Sequence, residues 1–187
     1  MKDYSEFVVH PIYGQGPRMT GVGTAAEASR PLAFGWDDSP AIPGTGIKVQ
    51  MTDNLGWYWR HSYYFDREKV CEDCKRPFLY FAEEQGYWHE VLLFKDEAHC
   101  VRCHECRKAD QHIRSQQDIY RRLIQISNPS AAESIELSLS ILELVEHGVF
   151  GRKSMQRIPK LLSAMTGPFA DRQLVEHIRE RYDQLKG

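Results

Sequence analysis

Apolar positions in the last third of the chain recur at helical spacing. Ile135, Leu139, Leu142 and Val145 form one stripe and Leu137, Ile141 and Leu144 a second, which predicts a helix buried on two sides. Asn128-Pro129-Ser130 breaks the chain before it, Glu133 stands where a capping-box partner of Ser130 belongs, and Gly148 marks its end. Upstream, Ile113, Ile119, Leu123 and Ile126 predict a helix over 108–125. Downstream, 154–165 reads as a shorter helix bent or started by Pro159, and Gly167-Pro168 introduces a last one carrying Leu174, Ile178, Tyr182 and Leu185. Four helices with short links suggest a small bundle.

The middle of the chain reads differently. Phe78 to Phe81 suits a strand, and 82–93 a short helix with Glu83 and Glu84 in its first turn and Gln85, Trp88 and Leu92 along one face. Trp57 to Phe65 is the most aromatic run, with Trp57, Trp59, His61 and Tyr63 on one strand face; core or interface packing explains it better than base stacking. Before it, 1–56 is broken by Gly and Pro, which forbids long helices and leaves room for short strands at Glu6–Val9 and Ile47–Met51. Phe7, Tyr13, Phe34 and Trp36 need cover, so this arm is expected to pack onto the middle unit. His10 to Arg18 fits no phosphate-loop pattern and reads as a structural turn.

The chemistry lies in the cysteines. Cys71-Glu72-Asp73-Cys74 is answered by Cys103-His104-Glu105-Cys106, and two such turns present four sulfurs to one tetrahedral zinc ion. Cys100 offers a rival turn, Cys100 to Cys103. Only the Cys103–Cys106 register repeats the first turn's pattern, in which two basic residues follow the second thiol: Lys75-Arg76 and Arg107-Lys108. The metal ligands are therefore read as Cys71, Cys74, Cys103 and Cys106, holding one structural Zn2+. Disulfides are the alternative, but residues 1–10 carry Lys2, Asp3 and Glu6 and show no export signal, which favours a cytoplasmic, metal-binding reading. A cysteine turn that feeds a helix is the treble-clef arrangement, and a helix N-terminus there would favour the thiolate of Cys106.

Three stretches together, Cys71 to Phe78, Phe81 to Trp88 (with its Glu-Gln-x-aromatic-aromatic centre) and Arg102 to Lys108, resemble bacterial and plant proteins known as probable zinc-ribbon domain proteins. The resemblance implies zinc on the same four cysteines and implies no activity. His99-Cys100 stands where relatives carry proline or a small residue, so no role for Cys100 follows from it. The fold class expected is α+β: a small treble-clef or zinc-ribbon-like unit over 65–109, a loop-rich arm over 1–64, and an all-helical region over 110–187.

Composition narrows the function. The chain has 187 residues, 42% of them hydrophobic, and a net charge of −2. Basic against acidic residues number 4 to 6 over 1–59, 9 to 11 over 60–110 and 11 to 9 over 111–187, so no region has the basic excess of a phosphate-neutralising surface. No apolar run approaches a membrane span. Four thiolates close the metal shell, and no hydrolase, kinase or deaminase signature is present, so an enzyme is not expected. His99 and His104-Glu105 lie near the metal but are bracketed by ligands; His147 and His177 are linked to no motif and read as surface or core residues. The expected function is a non-catalytic adaptor that binds another protein or its own copy. The alternatives are a nucleic-acid-binding regulator using Arg60, Lys75, Arg76, Arg107 and Lys108, and a redox sensor in which Cys100 attacks an oxidised ligand thiol.

Overall fold

The computed structural model describes residues 2–29, 39–50, 62–95, 98–165 and 172–187. Phe34, Trp36, Met51, Trp57 to His61 and Gly167-Pro168 lie outside the described residues. The chain divides into two compact units, Met1–Arg107 and Lys108–Gly187, so the arm and both cysteine turns share one body. Among the described residues no helix is long and apolar enough to cross a membrane.

In the first unit a short helix α1 (Ala25–Ala28), closed by a Thr24–Glu27 capping box, precedes the paired strands β1 (Ile47–Lys48) and β2 (Tyr63–Tyr64). The hairpin β3 (Arg67–Val70) and β4 (Pro77–Tyr80) is antiparallel, with Arg67 opposite Tyr80 and Val70 opposite Pro77. Arm segments extend it on both sides. Val8 donates its N–H to Pro77 O at 2.8 Å beside β4, while Glu68 N–H to Pro40 O at 3.0 Å and Asp66 O from Ile42 N–H at 2.8 Å flank β3. Phe7 is buried against Leu79 and Phe81, with Tyr4, Tyr13 and Ile42 around them, so these arm residues pack beside β4. His10 and Gly14 exchange two backbone hydrogen bonds at 2.8 Å, and Gly14 at φ 88° closes this turn. Gly23 is another constrained glycine, since a Cβ there would run into the Phe65 ring.

The helix expected over 82–93 is two pieces. The helix α2 (Ala82–Gly86) passes into a π turn, Tyr87–Val91, where Leu92 N–H bonds Tyr87 O at 3.0 Å. The extra residue in this turn rotates everything after it, so Leu92, expected on the buried face with Gln85 and Trp88, is 42% exposed. Phe94 comes back in its place, with its ring 5.5 Å from Trp88 and its N–H on Trp88 O, through a left-handed Leu93 at φ 54°.

The helix α3 (His104–Leu123) begins inside the second cysteine turn, earlier than the apolar spacing alone suggests. In the second unit α4 (Ala131–Glu146) opens on the capping box of Ser130 and Glu133 and stops before Gly148 at φ 69°. A 3-10 turn, Arg152–Arg157, leads into α5 (Ile158–Ala164), which carries Pro159 in its first turn; α6 (Arg172–Lys186) closes the chain. Leu123, Leu137, Ile141, Leu142, Ile158 and Ile178 are at the centre of one apolar core; the Leu137, Ile141 and Leu144 stripe of α4 is buried, whereas Ile135, Leu139 and Val145 of the other are half-buried at its edge. The fold is thus α+β with a helical C-terminal part.

Asp66 sets the order of the first unit. It is fully buried, and its two carboxylate oxygens accept from the N–H of Arg18 and of Ala82, each at 2.7 Å, while its own N–H reaches Thr45 Oγ1 at 2.9 Å. One side chain therefore ties the arm to the first turn of α2, where an anion is favoured. Burial outweighs these donors and pushes the Asp66 carboxyl up to about 6 from 3.8. The folded state then holds this proton more tightly than the unfolded one, so the group's contribution is complete at low pH and is lost as pH rises through about 6. His10 acts in the opposite sense. Burial, followed by repulsion from His104 and Arg107, pushes it down to about 4 from 6.5, so its contribution is complete above pH 6.5 and is lost as pH falls. Asp66→Asn isolates one of the two: in denaturant unfolding between pH 4.5 and 6.5 the variant should gain on the order of 2 kcal/mol relative to wild type. Parallel stability curves for the two proteins would refute this.

Candidate metal centre

The first cysteine pair sits on the tip of the β3–β4 hairpin. Cys71 N–H bonds Arg76 O and Lys75 N–H bonds Cys71 O, both at 3.0 Å, and Lys75 takes the left-handed conformation at φ 61° that a tight knuckle needs. The second pair is carried by the start of α3, with Arg107 N–H on Cys103 O at 3.0 Å as an early helical bond. Two links draw the pairs together: Glu72 N–H to Val101 O at 3.0 Å, and Cys103 N–H to Cys71 Sγ at 3.3 Å.

The sulfurs of Cys71, Cys74, Cys103 and Cys106 all lie within 4.8 Å of one another, and those of Cys74 and Cys103 are 3.8 Å apart. A tetrahedral zinc with bonds of about 2.3 Å to sulfur would set its ligands about 3.8 Å from each other. No disulfide joins them. The donor set and its spacing therefore suit one soft divalent ion bound by four thiolates, a metal site of structural type. Cys71 and Cys103 are buried, Cys106 is half-buried and Cys74 is exposed, so the site sits at the edge of the unit.

The thiols differ in acidity before any ion binds. Burial raises Cys71, but the N–H groups of Cys103, Cys74 and Asp73 outweigh it and bring that thiol down to about 6. Cys106 does not follow the expectation that a helix start favours its thiolate. Burial and then hydrogen bonding among the sulfurs of Cys103, Cys71 and Cys74 push it up, because one thiolate in so small a space opposes the next. A divalent cation removes that conflict.

Cys100 is outside the group. It is buried, its Sγ–H donates to Arg102 O at 2.9 Å, and burial pushes its thiol up to about 12. The register read from the repeated basic pair is the one the fold assembles. His104 packs its ring 4.8 Å from His10, and Glu105 pairs with Arg76 at 2.8 Å.

The residues between the turns hold the site from behind. Glu84 is buried and pairs with Arg107 at 2.6 Å; Arg107 in turn lies 5.2 Å over the Trp88 ring, and Trp88 packs 5.3 Å from Tyr80. Gln85 donates to Phe65 O at 2.6 Å and Tyr80 O at 3.0 Å, fixing α2 to the hairpin. The Glu-Gln-x-aromatic-aromatic centre is thus scaffold: acid to Arg107, amide to two carbonyls, Trp88 as the wall. Sequence reasoning missed the Glu84–Arg107 pair because nothing local links residues so far apart in the chain.

A family model described as a probable treble clef domain matches residues 65–115, which contain both cysteine turns and the start of α3. The knuckle on a hairpin and the second pair on a helix start are that architecture. Neither the curated proteins nor the solved structures contain a match to this chain.

Cys71→Ser should abolish stoichiometric metal and collapse the hairpin unit, as should chelator, whereas Cys100→Ser should keep metal at the wild-type level; metal analysis beside circular dichroism checks both. Equal metal in the two variants would overturn the ligand set. Arg107→Met, which leaves the buried Glu84 without its cation, should cost about 3 kcal/mol in urea unfolding of the metal-loaded protein.

Proposed function

We propose that Cys71, Cys74, Cys103 and Cys106 bind one structural Zn2+ and that the unit it holds is a non-catalytic adaptor for protein–protein binding. A shell of four thiolates leaves no open position for water or substrate, which supports a structural ion over a catalytic one. The observation that carries the adaptor reading is an apolar corner between the two cysteine turns. Val91 and Leu93 are each 62% exposed, and Leu92, Phe94 and Tyr87 beside them are 42%, 43% and 50% exposed. Such a run on a rigid turn marks an interaction surface. The π turn and left-handed Leu93 aim it outward, and the Glu84, Gln85 and Trp88 contacts anchor it to the metal unit.

The two other readings lose support. Of the cations a nucleic-acid surface would use, Arg107 is committed to Glu84 and Trp88 and Arg76 to Glu105. A redox role for Cys100 needs a thiolate, and that thiol is buried with its proton held.

A photo-crosslinker in place of Leu93, in the zinc-loaded protein, should give discrete adducts with one partner protein or with a second copy, and Val91→Asp should remove them. Light scattering tells the two occupants apart. A strict monomer whose crosslinks are absent, or unchanged by Val91→Asp, would count against the adaptor reading.

A further inference from the structure

Away from the cysteines, in the helical unit, two imidazoles meet one carboxylate. Glu143 of α4 and His147, which caps that helix's C-terminus, are a helical turn apart, and His112 of α3 comes to the same carboxylate. His112 Nε2 is 3.0 Å and His147 Nε2 is 3.4 Å from a single oxygen, Glu143 Oε1. The other oxygen, Oε2, is held by Arg181 Nη2 of α6 at 2.9 Å. That ion pair fixes the carboxylate so that one oxygen alone faces both imidazoles.

We infer that His112, Glu143 and His147 form a second, surface site for a divalent transition metal of the zinc or nickel class. An imidazole, imidazole, carboxylate set is the donor chemistry these ions take, unlike the all-oxygen shells of magnesium or calcium. The nitrogen–oxygen spacings agree, since around an ion with bonds of about 2.0 to 2.2 Å a nitrogen and an oxygen ligand stand about 3.3 Å apart; the two imidazole nitrogens, by contrast, do not come within 4.8 Å of each other. The two rings are inclined at 66° with centroids 6.5 Å apart, so both must turn toward the ion. Their side chains are 50% and 49% exposed, which leaves them room to do so.

Charge permits a cation there. Arg181 brings one positive charge but is met by both oxygens of Glu146, at Nε 2.9 Å and Nη2 2.5 Å, as well as by Glu143. With neutral imidazoles the cluster of Glu143, Glu146, Arg181, His112 and His147 has two negative charges against one positive. Three protein ligands leave the remaining positions to water. This inference is independent of the adaptor reading and of the ion at the cysteines. The sequence reading took His147 for an ordinary surface or core residue, since no motif links it to His112.

The competing account is a proton clasp, in which protonated His112 and His147 bind Glu143 and no metal is taken up. Equilibrium dialysis of the full chain separates them. The protein, free of any histidine tag and holding one zinc at the cysteines, is dialysed against Ni2+ at pH 7.5 and at pH 5. One further equivalent of metal is expected at pH 7.5 and less at pH 5, because protons compete with the ion for ligand nitrogen. His112→Ala and His147→Ala should each weaken this uptake at least tenfold, and His177→Ala on α6 should leave it unchanged, with zinc content constant and helical circular dichroism intact. Glu143→Gln should also weaken it, and if that variant loses its fold the half-exposed histidine variants decide the matter. No second equivalent, or uptake by His112→Ala equal to wild type, overturns the proposal.

Discussion

Four sulfurs gathered from two distant turns are the constraint on which the first unit rests. The hairpin tip and the start of α3 are separated by the whole of β4, α2 and the π turn, and closing a loop of that length costs conformational entropy that short strands alone do not repay. The paired strands here are only two to four residues long. Sulfurs within 4.8 Å of one another, with Cys71 pushed toward thiolate while Cys106 is pushed away from it, describe a cluster complete only with a cation at its centre. Ion binding there is folding energy.

Around that closure the unit uses buried polar groups in place of a large core. Asp66 is fully enclosed, and Glu84 and Gln85 are each 7% exposed. Every one of them spans elements: Asp66 joins the arm to α2, Gln85 joins α2 to the hairpin, and Glu84 joins α2 to α3 through Arg107. Apolar contacts would tolerate several registers of such short elements, whereas a carboxylate that must meet two particular N–H groups accepts one. The arm, rich in glycine and proline and poor in secondary structure, has its place because Arg18, Ile42 and Thr45 all bond to Asp66.

How much of this was legible in the sequence follows from the range of each interaction. Local rules worked: the capping box at Ser130, the stop at Gly148, the two core-facing stripes of α4, one buried and one half-buried, and the paired cysteines all depend on residues a few positions apart. Propensity failed where one inserted residue mattered. The periodicity of Gln85, Trp88 and Leu92 implies a regular helix, and a single π turn sends Leu92 to the surface and brings Phe94 onto Trp88. Long-range polar pairs left no local trace. Neither Glu84 with Arg107 nor His112 with Glu143 has a spacing that points to its partner.

The repeated Cys-x-x-Cys-basic-basic pattern shows why sequence likeness and structural likeness part company. A basic pair follows each second cysteine, Lys75-Arg76 and Arg107-Lys108, and helped select the register that the fold assembles; the arginine is second in one pair and first in the other. The two arginines have opposite environments. Arg76 pairs with Glu105 across a surface where both side chains are about half exposed, an arrangement that contributes little to stability. Arg107 follows its cysteine along a helix, which turns it inward onto Glu84 and the Trp88 ring. A knuckle and a helix start can present sulfur to the same ion while pointing the next residue in different directions, so the echo is a property of ligand geometry alone. Because one cation of the pair is consumed inside the scaffold, the basic residues beside the metal differ in what they present to solvent, while the apolar corner at Val91 to Phe94 stays exposed.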